Sequence, residues 1–408
     1  MTFPVTAEFQ ERQTDKDVTN QLLAGIEELA PQIQSRSAEM EVTGRIPIDL
    51  IESLKAIGVF RMFVPRSHGG LELDFTDAIE IIQALARIDG PVGWSAGFSN
   101  GGSLLATFPP LEIYDRIYKN GPDVLFAGTF KPGGTAEAMG NSWRLNGRFD
   151  FFSGCQHADW MVVTFVMRKD GVPLLQPNGQ PLFRSCLVHA RDCQIEETWQ
   201  VAGLKATGSH DVVITDLVVP DADFFDTFDP QVHIPGPLYQ EPFPLLLLLI
   251  PAIFVGIATG AVDEVVRVAN TGRQQFRAAT PMRDSELFQA ELGRIEADLN
   301  AARACLQVQV ASHWNHALSG TLKREPFLTQ TLRTAAWVGT TCVRVATDCF
   351  ALGGSKAVYE TSALQLRLRD LLVGSQHFAA QKRQYVTSGK LLLEADSAHA
   401  TQLLPRSS

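Results

Sequence analysis

The sequence predicts an α+β protein with three successive parts: a helical part, an antiparallel β part and a helical bundle. Residues 18–120 show the apolar spacing of amphipathic helices. At about Asp123 the pattern changes to short apolar stretches that are separated by Gly, Pro and Asn turns. After Pro230 the helical spacing returns and continues along the chain. We therefore expect three domains, namely 1–123, 124–229 and 230–408.

Composition fits a protein with more than one structural unit and excludes several classes of partner. The chain has 408 residues, of which 45% are hydrophobic and 20% charged. Its net charge of −10 argues against nucleic-acid and anionic-membrane partners, which favour a basic surface. The six cysteines form no C-x-x-C pair and no zinc spacing. With an N-terminus that lacks signal-peptide features, they favour a cytoplasmic protein with reduced thiols.

The first part is predicted to be helical, with two clear internal signals. An amphipathic segment ends at Gly58, which is placed as a helix C-cap. A second helix is predicted from Thr76 to Ile88 because its apolar residues recur on one face. Between them, residues 64–70 (Val-Pro-Arg-Ser-His-Gly-Gly) predict a turn.

The middle part is predicted to contain short strands whose spacing favours antiparallel pairing over alternating β and α elements. The pair Asn146-Gly147 predicts a two-residue hairpin turn, because both residues tolerate positive φ. The expected strands are 124–129, 142–145, 148–152, 160–166, 183–190 and 211–219.

The last part is predicted to be a bundle whose helices include 327–352 and 364–394. Residues 243–262 carry no charge and are long enough to span a membrane, but Pro and Gly interrupt them. We therefore expect a buried bundle helix there. His313 and His316 lie one helical turn apart, and without a third ligand they predict a solvated helix face instead of a metal site.

Other motifs exclude alternatives. Within the sequence we find no G-x-G-x-x-G after a strand and no G-x-x-x-x-G-K-[ST], so no nicotinamide site is expected. Residues 93–97 match the G-x-S-x-G of serine hydrolases, but a predicted helix, and no strand, precedes them. His157 and Asp159 lack a third ligand at suitable spacing, so a metal site is not expected there.

Three stretches carry a resemblance to a known family. Residues 58–70 have the order Gly-Val-Phe…Val-Pro…Gly-Gly, with His68 where a tyrosine is usual. Residues 149–160 have Phe-Asp-Phe-Phe-Ser-Gly followed by His-Ala-Asp-Trp. Residues 203–211 have Gly-x-x-x-Thr-x-Ser, followed by Val218-Val219-Pro220. Together they resemble the acyl-CoA dehydrogenase superfamily, and most closely the oxygenase components of two-component (group D) flavin monooxygenases. The resemblance spans nearly the whole chain.

This resemblance implies a cofactor site for reduced flavin, FMNH2 or FADH2. It places Ser153 near the N5 edge of the isoalloxazine ring. It also implies that Arg273 and Phe276 reach the flavin of a neighbouring subunit, although Arg277 replaces a usual Gly. The Gly353-Gly354 pair lets the backbone approach the cofactor closely. The full set of implied cofactor residues is Thr129, Phe130, Phe151, Ser153, Ser209, Arg273, Phe276, Gly353 and Gly354.

The resemblance also implies the catalytic and substrate residues. In acyl-CoA dehydrogenases a carboxylate after the Arg-Asp of the last helices removes the α-proton of the substrate. Here residues 371–378, which follow Arg369-Asp370, contain no acid, and His377 lies within a residue of that place. We expect His377 and Ser153 to be catalytic, with the imidazole acting on a phenol-like substrate or assisting the hydroperoxide chemistry. The expected substrate residues are Trp94, Phe98, Asn100 and Phe378.

The sequence therefore predicts the oxygenase component of a flavin-dependent monooxygenase. The resemblance implies that a separate NAD(P)H:flavin reductase supplies reduced flavin, and that O2 forms a C4a-hydroperoxyflavin that hydroxylates an aromatic or heteroaromatic small molecule. The resemblance implies a homotetramer. Two alternatives stay open: an acyl-CoA dehydrogenase-like desaturase, for which Asp263 and Glu264 are candidate bases, and a catalytically silent flavin-fold or assembly protein.

Overall fold

The structure is a computed structural model that describes residues 5–226 and 231–394. The predicted domain boundary at 229 and 230, and the outer limits at residues 1 and 408, lie outside the described residues. Within those residues the elements follow the expected order of helices, sheet and helices. The domain limits themselves stay a prediction.

Within residues 5–125, six α-helices precede the sheet. The C-cap prediction at Gly58 is confirmed: its φ is 93°, and its N–H donates to the carbonyls of Leu54 and Lys55. Asp89 separates two of the helices and caps the second one by accepting a hydrogen bond from Val92 N at 3.1 Å. The helices are α1 (Val5–Ser35), α2 (Ser37–Thr43), α3 (Ile48–Ile57), α4 (Phe75–Ile88), α5 (Gly90–Leu105) and α6 (Leu111–Tyr118).

One mixed sheet follows, with the order β7-β8-β3-β2-β4-β6-β9, and with β1 and β5 paired to β4. The expectation of a purely antiparallel unit is corrected, because β1 and β2 both run parallel to β4. The strands are β1 (Phe126–Gly128), β2 (Gly134–Met139), β3 (Ser142–Phe152), β4 (Trp160–Lys169), β5 (Val172–Pro173), β6 (Phe183–His189), β7 (Gln194–Glu196), β8 (His210–Pro220) and β9 (Phe224–Phe225).

The predicted hairpin turn at Asn146-Gly147 is wrong. Both residues lie inside β3, where the register with β8 shifts between Leu145 and Gly147. The Asn146 side chain stabilises this bulge, since its Oδ1 accepts a hydrogen bond from Asp216 N at 2.9 Å. The hairpin turn lies at Gly140, with φ 60°, between β2 and β3.

Six helices complete the described chain. The predicted helix 364–394 is interrupted at 375–384, where short turns replace it and place His377 outside a helix. These helices are α7 (Pro242–Leu246), α8 (Leu249–Asn270), α9 (Glu286–Leu318), α10 (Arg324–Gly353), α11 (Ala363–Gly374) and α12 (Tyr385–Glu394).

The apolar segment is a core helix. Pro242–Asn270 is long and apolar enough to cross a membrane, but 83% of its most apolar window is buried inside the protein. Helix α8 packs against α4, α10 and α11, so the helices before and after the sheet share one hydrophobic core. A second core, which includes Phe149, Phe152 and Phe165, lies within the sheet.

The expectation of a solvated histidine face is wrong for His313. Its side chain is fully buried, and its Nδ1 accepts a hydrogen bond from Gln309 at 3.0 Å. Its Nε2 lies 2.8 Å from the Thr331 hydroxyl. Burial lowers the pKa of His313 to about 4, so the ring is neutral and acts as a packing residue.

Candidate active site

Helix α5 forms one wall of the candidate site, because its small residues let the sheet approach closely. A Cβ at Gly102 would lie 2.3 Å from the Cβ of Phe126, so only glycine fits beside β1. Ser99 Oγ accepts a hydrogen bond from Phe126 N at 3.1 Å. This contact places Trp94, five residues before Ser99 on the buried α5, against the end of β3.

A continuous series of hydrogen bonds runs from Trp94 into the sheet. Trp94 Nε1 donates to Ser153 Oγ at 3.1 Å, and Ser153 Oγ lies 2.7 Å from Ser209 Oγ. Ser209 Oγ lies 2.7 Å from Thr207 Oγ1, which donates to the Leu204 carbonyl at 2.8 Å. The structure thus brings together Ser153 and Ser209. It adds Thr207, the Thr of the Gly-x-x-x-Thr-x-Ser pattern, which was not among the predicted site residues.

The segment that carries Thr207 and Ser209 is held by α11. The Asp370 carboxylate accepts a hydrogen bond from Leu204 N at 2.6 Å. A Cβ at Gly203 would lie 2.3 Å from the Arg369 carbonyl, so the two backbones touch. Burial is the main cause that raises the pKa of Asp370 to about 7. The Arg369-Asp370 pair therefore positions the hydroxyl groups in this fold.

Three aromatic rings and one imidazole form a cluster beside Ser153. Trp94 and Phe98 stack with ring centroids 4.8 Å apart. The His377 ring meets them edge-on, at 6.1 Å from Trp94 and 5.7 Å from Phe98. Phe378, which is partly exposed, lies 4.7 Å from His377. These residues, predicted from separate parts of the sequence, share one surface. The ring of Phe254 of α8, which was not among the predicted site residues, lies 6.3 Å from that of Trp94 at the edge of the cluster.

The imidazole of His377 is neutral and has a defined tautomer. Burial lowers its pKa to about 4. Its Nδ1 accepts a hydrogen bond from Ala379 N at 3.3 Å, so the ring proton is on Nε2. His377 therefore presents an N–H donor in this structure, and removal of a substrate proton at Nε2 requires a change of tautomer.

Asn100 does not join this cluster. Its Nδ2 donates to the carbonyls of Val59 and Ala96, both at 2.9 Å, and its side chain is fully buried. The amide thus fixes α5 to the turn after α3. No observation supports the predicted contact with substrate.

An exposed aromatic residue, Phe151, lies beside Ser153 at the end of β3. Phe151 has a positive φ of 65°, and 61% of it is exposed. Its ring meets the Trp199 ring edge-on at 6.1 Å. Lys131 Nζ, just after Thr129 and Phe130, lies 2.7 Å from the Asp150 carboxylate, so both segments border the same surface. An exposed aromatic ring near the Ser153 hydroxyl, which has contacts with Trp94 and Ser209, suits a flat heteroaromatic group with an N–H edge. These residues fit a flavin.

The remaining predicted cofactor residues form a second cluster. The loop 273–278 lies against the end of α10, where Gln275 Nε2 donates to the Leu352 carbonyl at 3.3 Å. A Cβ at Gly354 would lie 3.8 Å from an Arg273 guanidinium nitrogen. Phe276 is 91% exposed. Within residues 5–226 and 231–394, we find no hydrogen bond or ring contact that links this loop to Ser153.

Asp263 and Glu264, the candidate bases of the desaturase alternative, both pair with arginines. Asp263 pairs with Arg87, and the Glu264 carboxylate lies 2.7 Å from Arg267. Both pairs lie toward the C-terminal end of α8. Neither carboxylate forms a hydrogen bond or ion pair with a residue of the aromatic cluster.

The comparisons with known proteins agree with this geometry. Residues 21–111 match the family model for the acyl-CoA dehydrogenase N-terminal domain, and residues 248–382 match that for the C-terminal domain. The chain is 31% identical to indole-3-acetate monooxygenase of Pseudomonas putida, over 88% of this chain and 90% of that protein. It is 26% identical to the flavin-dependent monooxygenase oxygenase subunit HsaA of Rhodococcus jostii, over 89% and 96%.

A solved structure gives the same fold. XiaF from a Streptomyces species, in complex with FADH2 and glycerol, matches with a TM-score of 0.85 and 23% identity, over 95% of this chain and 98% of that chain. The sequence-based predictions of family and fold are confirmed. The chain belongs to the acyl-CoA dehydrogenase family and, within it, to the flavin-dependent monooxygenases that act as oxygenase components.

Proposed function

We propose that this protein hydroxylates an aromatic or heteroaromatic small molecule of about the size of an indole ring system. The cluster of Trp94, Phe98 and His377 beside Ser153 is the observation that carries this proposal. Stacked and edge-on aromatic side chains select flat apolar rings. Two relatives, from Pseudomonas putida and Acinetobacter baumannii, are named indole-3-acetate monooxygenase, which supports a substrate of this class.

Each part of the site has a separate role in this proposal. Phe151, Ser153 and the residues after β1 hold the flavin ring, and reduced flavin supplies the activation of O2. The aromatic cluster orients the substrate and excludes water. His377 donates a hydrogen bond from Nε2 to an oxygen of the substrate or of the group that is transferred. Arg273 and Phe276 act on the flavin of a neighbouring subunit.

The source of electrons is a separate reductase. No nicotinamide fingerprint is found in the sequence, so this chain with flavin and NADH alone is expected to leave NADH unoxidised. Addition of an NAD(P)H:flavin reductase is expected to start the consumption of NADH and O2. Fast oxidation of NADH by this protein alone would contradict the two-component proposal.

The substrate class is tested by product analysis. The protein is mixed anaerobically with reduced flavin, then with O2 and either indole-3-acetate, a phenol or a saturated ring acid of the same size. Hydroxylated product is expected from the aromatic compounds and not from the saturated one. If an acyl-CoA instead reduces the bound oxidised flavin directly, the protein is a desaturase and the proposal fails.

We also propose a homotetramer in the cytoplasm. Helices α9, α10 and α12 expose apolar side chains around a groove of about 520 Å³ that is lined by Cys305, Val308, Trp337 and Tyr385, among others. Such a patch favours burial against another protein surface. The six cysteines form no disulfide, which agrees with a reducing compartment. Sedimentation at micromolar concentration tests the assembly, and a monomer would contradict it.

A further inference from the structure

The hydrogen bonds from Trp94 to Leu204 have a fixed direction. At one end the indole N–H of Trp94 can only donate, and at the other end the Leu204 carbonyl can only accept. Between them lie three hydroxyl groups, of Ser153, Ser209 and Thr207, with successive O–O distances of 2.7 and 2.7 Å. The direction of each bond follows from these two ends.

Each of the three hydroxyl groups has one hydrogen. Each of the three contacts, Ser153–Ser209, Ser209–Thr207 and Thr207–Leu204, requires one hydrogen between its two oxygens. Thr207 must donate to the Leu204 carbonyl, because that oxygen has no hydrogen. Ser209 must then donate to Thr207, and Ser153 must donate to Ser209. The hydrogen of Ser153 is thus committed to the interior of the protein. One of the Ser153 lone pairs already accepts from Trp94, so the other can only accept a further hydrogen bond.

Reversal of this chain carries a cost. If Ser153 turned its hydrogen toward the flavin surface, Ser209 and Thr207 would have to turn theirs as well, and the hydrogen bond from Thr207 to the Leu204 carbonyl would be lost. That carbonyl would then keep Trp199 Nε1, at 3.0 Å, as its side-chain donor. Ser209 and Thr207 are buried, so water is not available to restore the bond. The backbone also holds the segment, because Gly154 N donates to the Thr207 carbonyl at 2.7 Å and Asp370 accepts from Leu204 N.

We propose that Thr207 and Ser209 are positioning residues that keep Ser153 as an acceptor and so make the site select reduced over oxidised flavin. This inference rests on the proposed flavin site. Reduced flavin has a hydrogen on N5 and can donate to Ser153, whereas oxidised N5 has none and needs a donor. The series of hydrogen bonds therefore favours binding of reduced flavin, which a reductase delivers, over oxidised flavin, which must leave after the reaction.

The test measures dissociation constants of both flavin forms, with reduced flavin handled anaerobically. In Thr207→Val, the Ser209 hydrogen loses its acceptor and turns to Ser153, which frees the Ser153 hydrogen to donate. Oxidised flavin is expected to bind more tightly and reduced flavin less tightly. In Ser209→Ala, oxidised flavin is expected to bind more tightly and the affinity for reduced flavin to stay unchanged. The ratio of Kd for oxidised to reduced flavin is expected to fall roughly 2- to 10-fold in Ser209→Ala, the worth of one neutral hydrogen bond, and further in Thr207→Val, where two such bonds change.

An independent readout is the midpoint potential of the bound flavin, where a tenfold change in this ratio corresponds to about 30 mV for two electrons. Ser153→Ala is expected to weaken the binding of reduced flavin and to leave the binding of oxidised flavin unchanged. Thr164→Val is the matched control, since its hydroxyl is also buried and lies 2.8 Å from Ser185 Oγ, outside this chain. It is expected to leave the ratio unchanged.

The outcomes separate the inference from the proposed function. If the wild-type protein binds neither form of flavin, the proposed flavin site is wrong. If it binds both, and Thr207→Val and Ser209→Ala weaken the two forms equally or leave the ratio at the wild-type value, the positioning role is wrong. Should Thr207→Val not fold, as judged by circular dichroism, Ser209→Ala decides the question alone.

Discussion

The two clusters of predicted flavin residues differ in how complete they are within one chain. Around Ser153, buried hydroxyl, indole and carbonyl groups satisfy one another, and an aromatic wall lies beside them. Around Arg273, by contrast, Phe276 is almost fully exposed and the loop touches the end of α10 through Gln275. The first cluster is closed, and we call it the closed cluster. We call the second the open cluster.

This difference indicates a division of tasks. The closed cluster has its donors and acceptors in place before any ligand arrives, which is what stabilisation of a reaction requires. An exposed phenyl ring in the open cluster gains stability when another surface covers it. We infer that the closed cluster controls chemistry and the open cluster controls assembly and flavin retention.

The largest effect is expected at His377. His377→Ala removes the N–H donor of the closed cluster, so hydroxylated product is expected to form about 10²–10⁴-fold more slowly. The Kd for reduced flavin is expected to stay near the wild-type value. Single-turnover product formation after mixing with O2 measures the rate. Wild-type rates in this variant would return His377 to a packing role.

A matched variant distinguishes donation from proton removal. His377→Gln keeps an N–H donor but cannot act as a base near neutral pH. If donation is the role, it retains much more activity than His377→Ala. Because the pKa of His377 is lowered to about 4, no titration of this ring is expected in the rate between pH 5.5 and 8.

The second effect concerns Asp370, which supports the closed cluster. Asp370→Ala leaves Leu204 N buried without its acceptor, so the free energy of unfolding is expected to fall by about 1–3 kcal/mol. Asp370→Asn keeps an acceptor oxygen and is expected to fold with a smaller loss. Urea unfolding measures the free energy of unfolding of both variants. Equal losses in the two variants would show that the Leu204 contact is unimportant.

A comparison of Asp370→Asn with the wild-type protein gives a pH dependence of stability with a defined sign. Burial raises the folded pKa of Asp370 to about 7, so the folded state binds more protons than the unfolded state between about pH 4 and 7. The contribution of Asp370 to stability is present below pH 4 and is lost as the pH rises through 7. The stability of Asp370→Asn relative to wild type is therefore expected to increase by roughly 1 kcal/mol per pH unit in this window.

Sequence patterns predicted which residues form the closed cluster better than they predicted the hydrogen bonds among those residues. Ser153 and Ser209 lie in motifs that can be identified by their neighbours. Thr207 lies in the same motif, but its role depends on a hydroxyl order that exists only when three distant segments meet. The tautomer of His377 likewise depends on the break between α11 and α12, which the helical periodicity of 364–394 concealed.

Local signals failed where tertiary pairing overruled them. The Asn146-Gly147 pair favours a turn, yet β8 pairs with it across a bulge. Strand β2 was missed because Gly134–Met139 has few β-branched residues, and its position beside β4 makes the sheet mixed. His313 was misassigned since its one-turn spacing from His316 cannot tell a buried helix face from an exposed one.

The third effect is expected in the open cluster. Arg273→Ala is expected to weaken flavin binding roughly tenfold, the loss of one charge-assisted contact. The hydroxylation rate at saturating flavin is expected to change little, and the tetramer to dissociate at a higher protein concentration. Arg283→Ala, an exposed arginine ten residues later, is the control. A tetramer with full flavin affinity in Arg273→Ala would remove the open cluster from the flavin site.

The smallest effect concerns the backbone of the open cluster. Arg277 has a φ of 61° in the loop, a left-handed conformation that favours glycine. Its guanidinium also lies 5.3 Å from the Phe276 ring, so any replacement loses this contact. Arg277→Gly and Arg277→Ala lose it equally, and only glycine relieves the backbone strain. Arg277→Gly is expected to be the more stable of the two by about 1 kcal/mol.

The opposite order is expected at Arg283, which lies in the 3-10 turn Met282–Asp284. There Arg283→Gly is expected to be less stable than Arg283→Ala by about 0.5–1 kcal/mol, because glycine gains freedom in the unfolded chain. Urea midpoints of the four variants give both differences in one experiment. If alanine equals or exceeds glycine at 277, the loop does not hold its left-handed turn in a free subunit. The open cluster would then take shape only when a second copy covers it, and the contrast with the closed cluster would be sharper still.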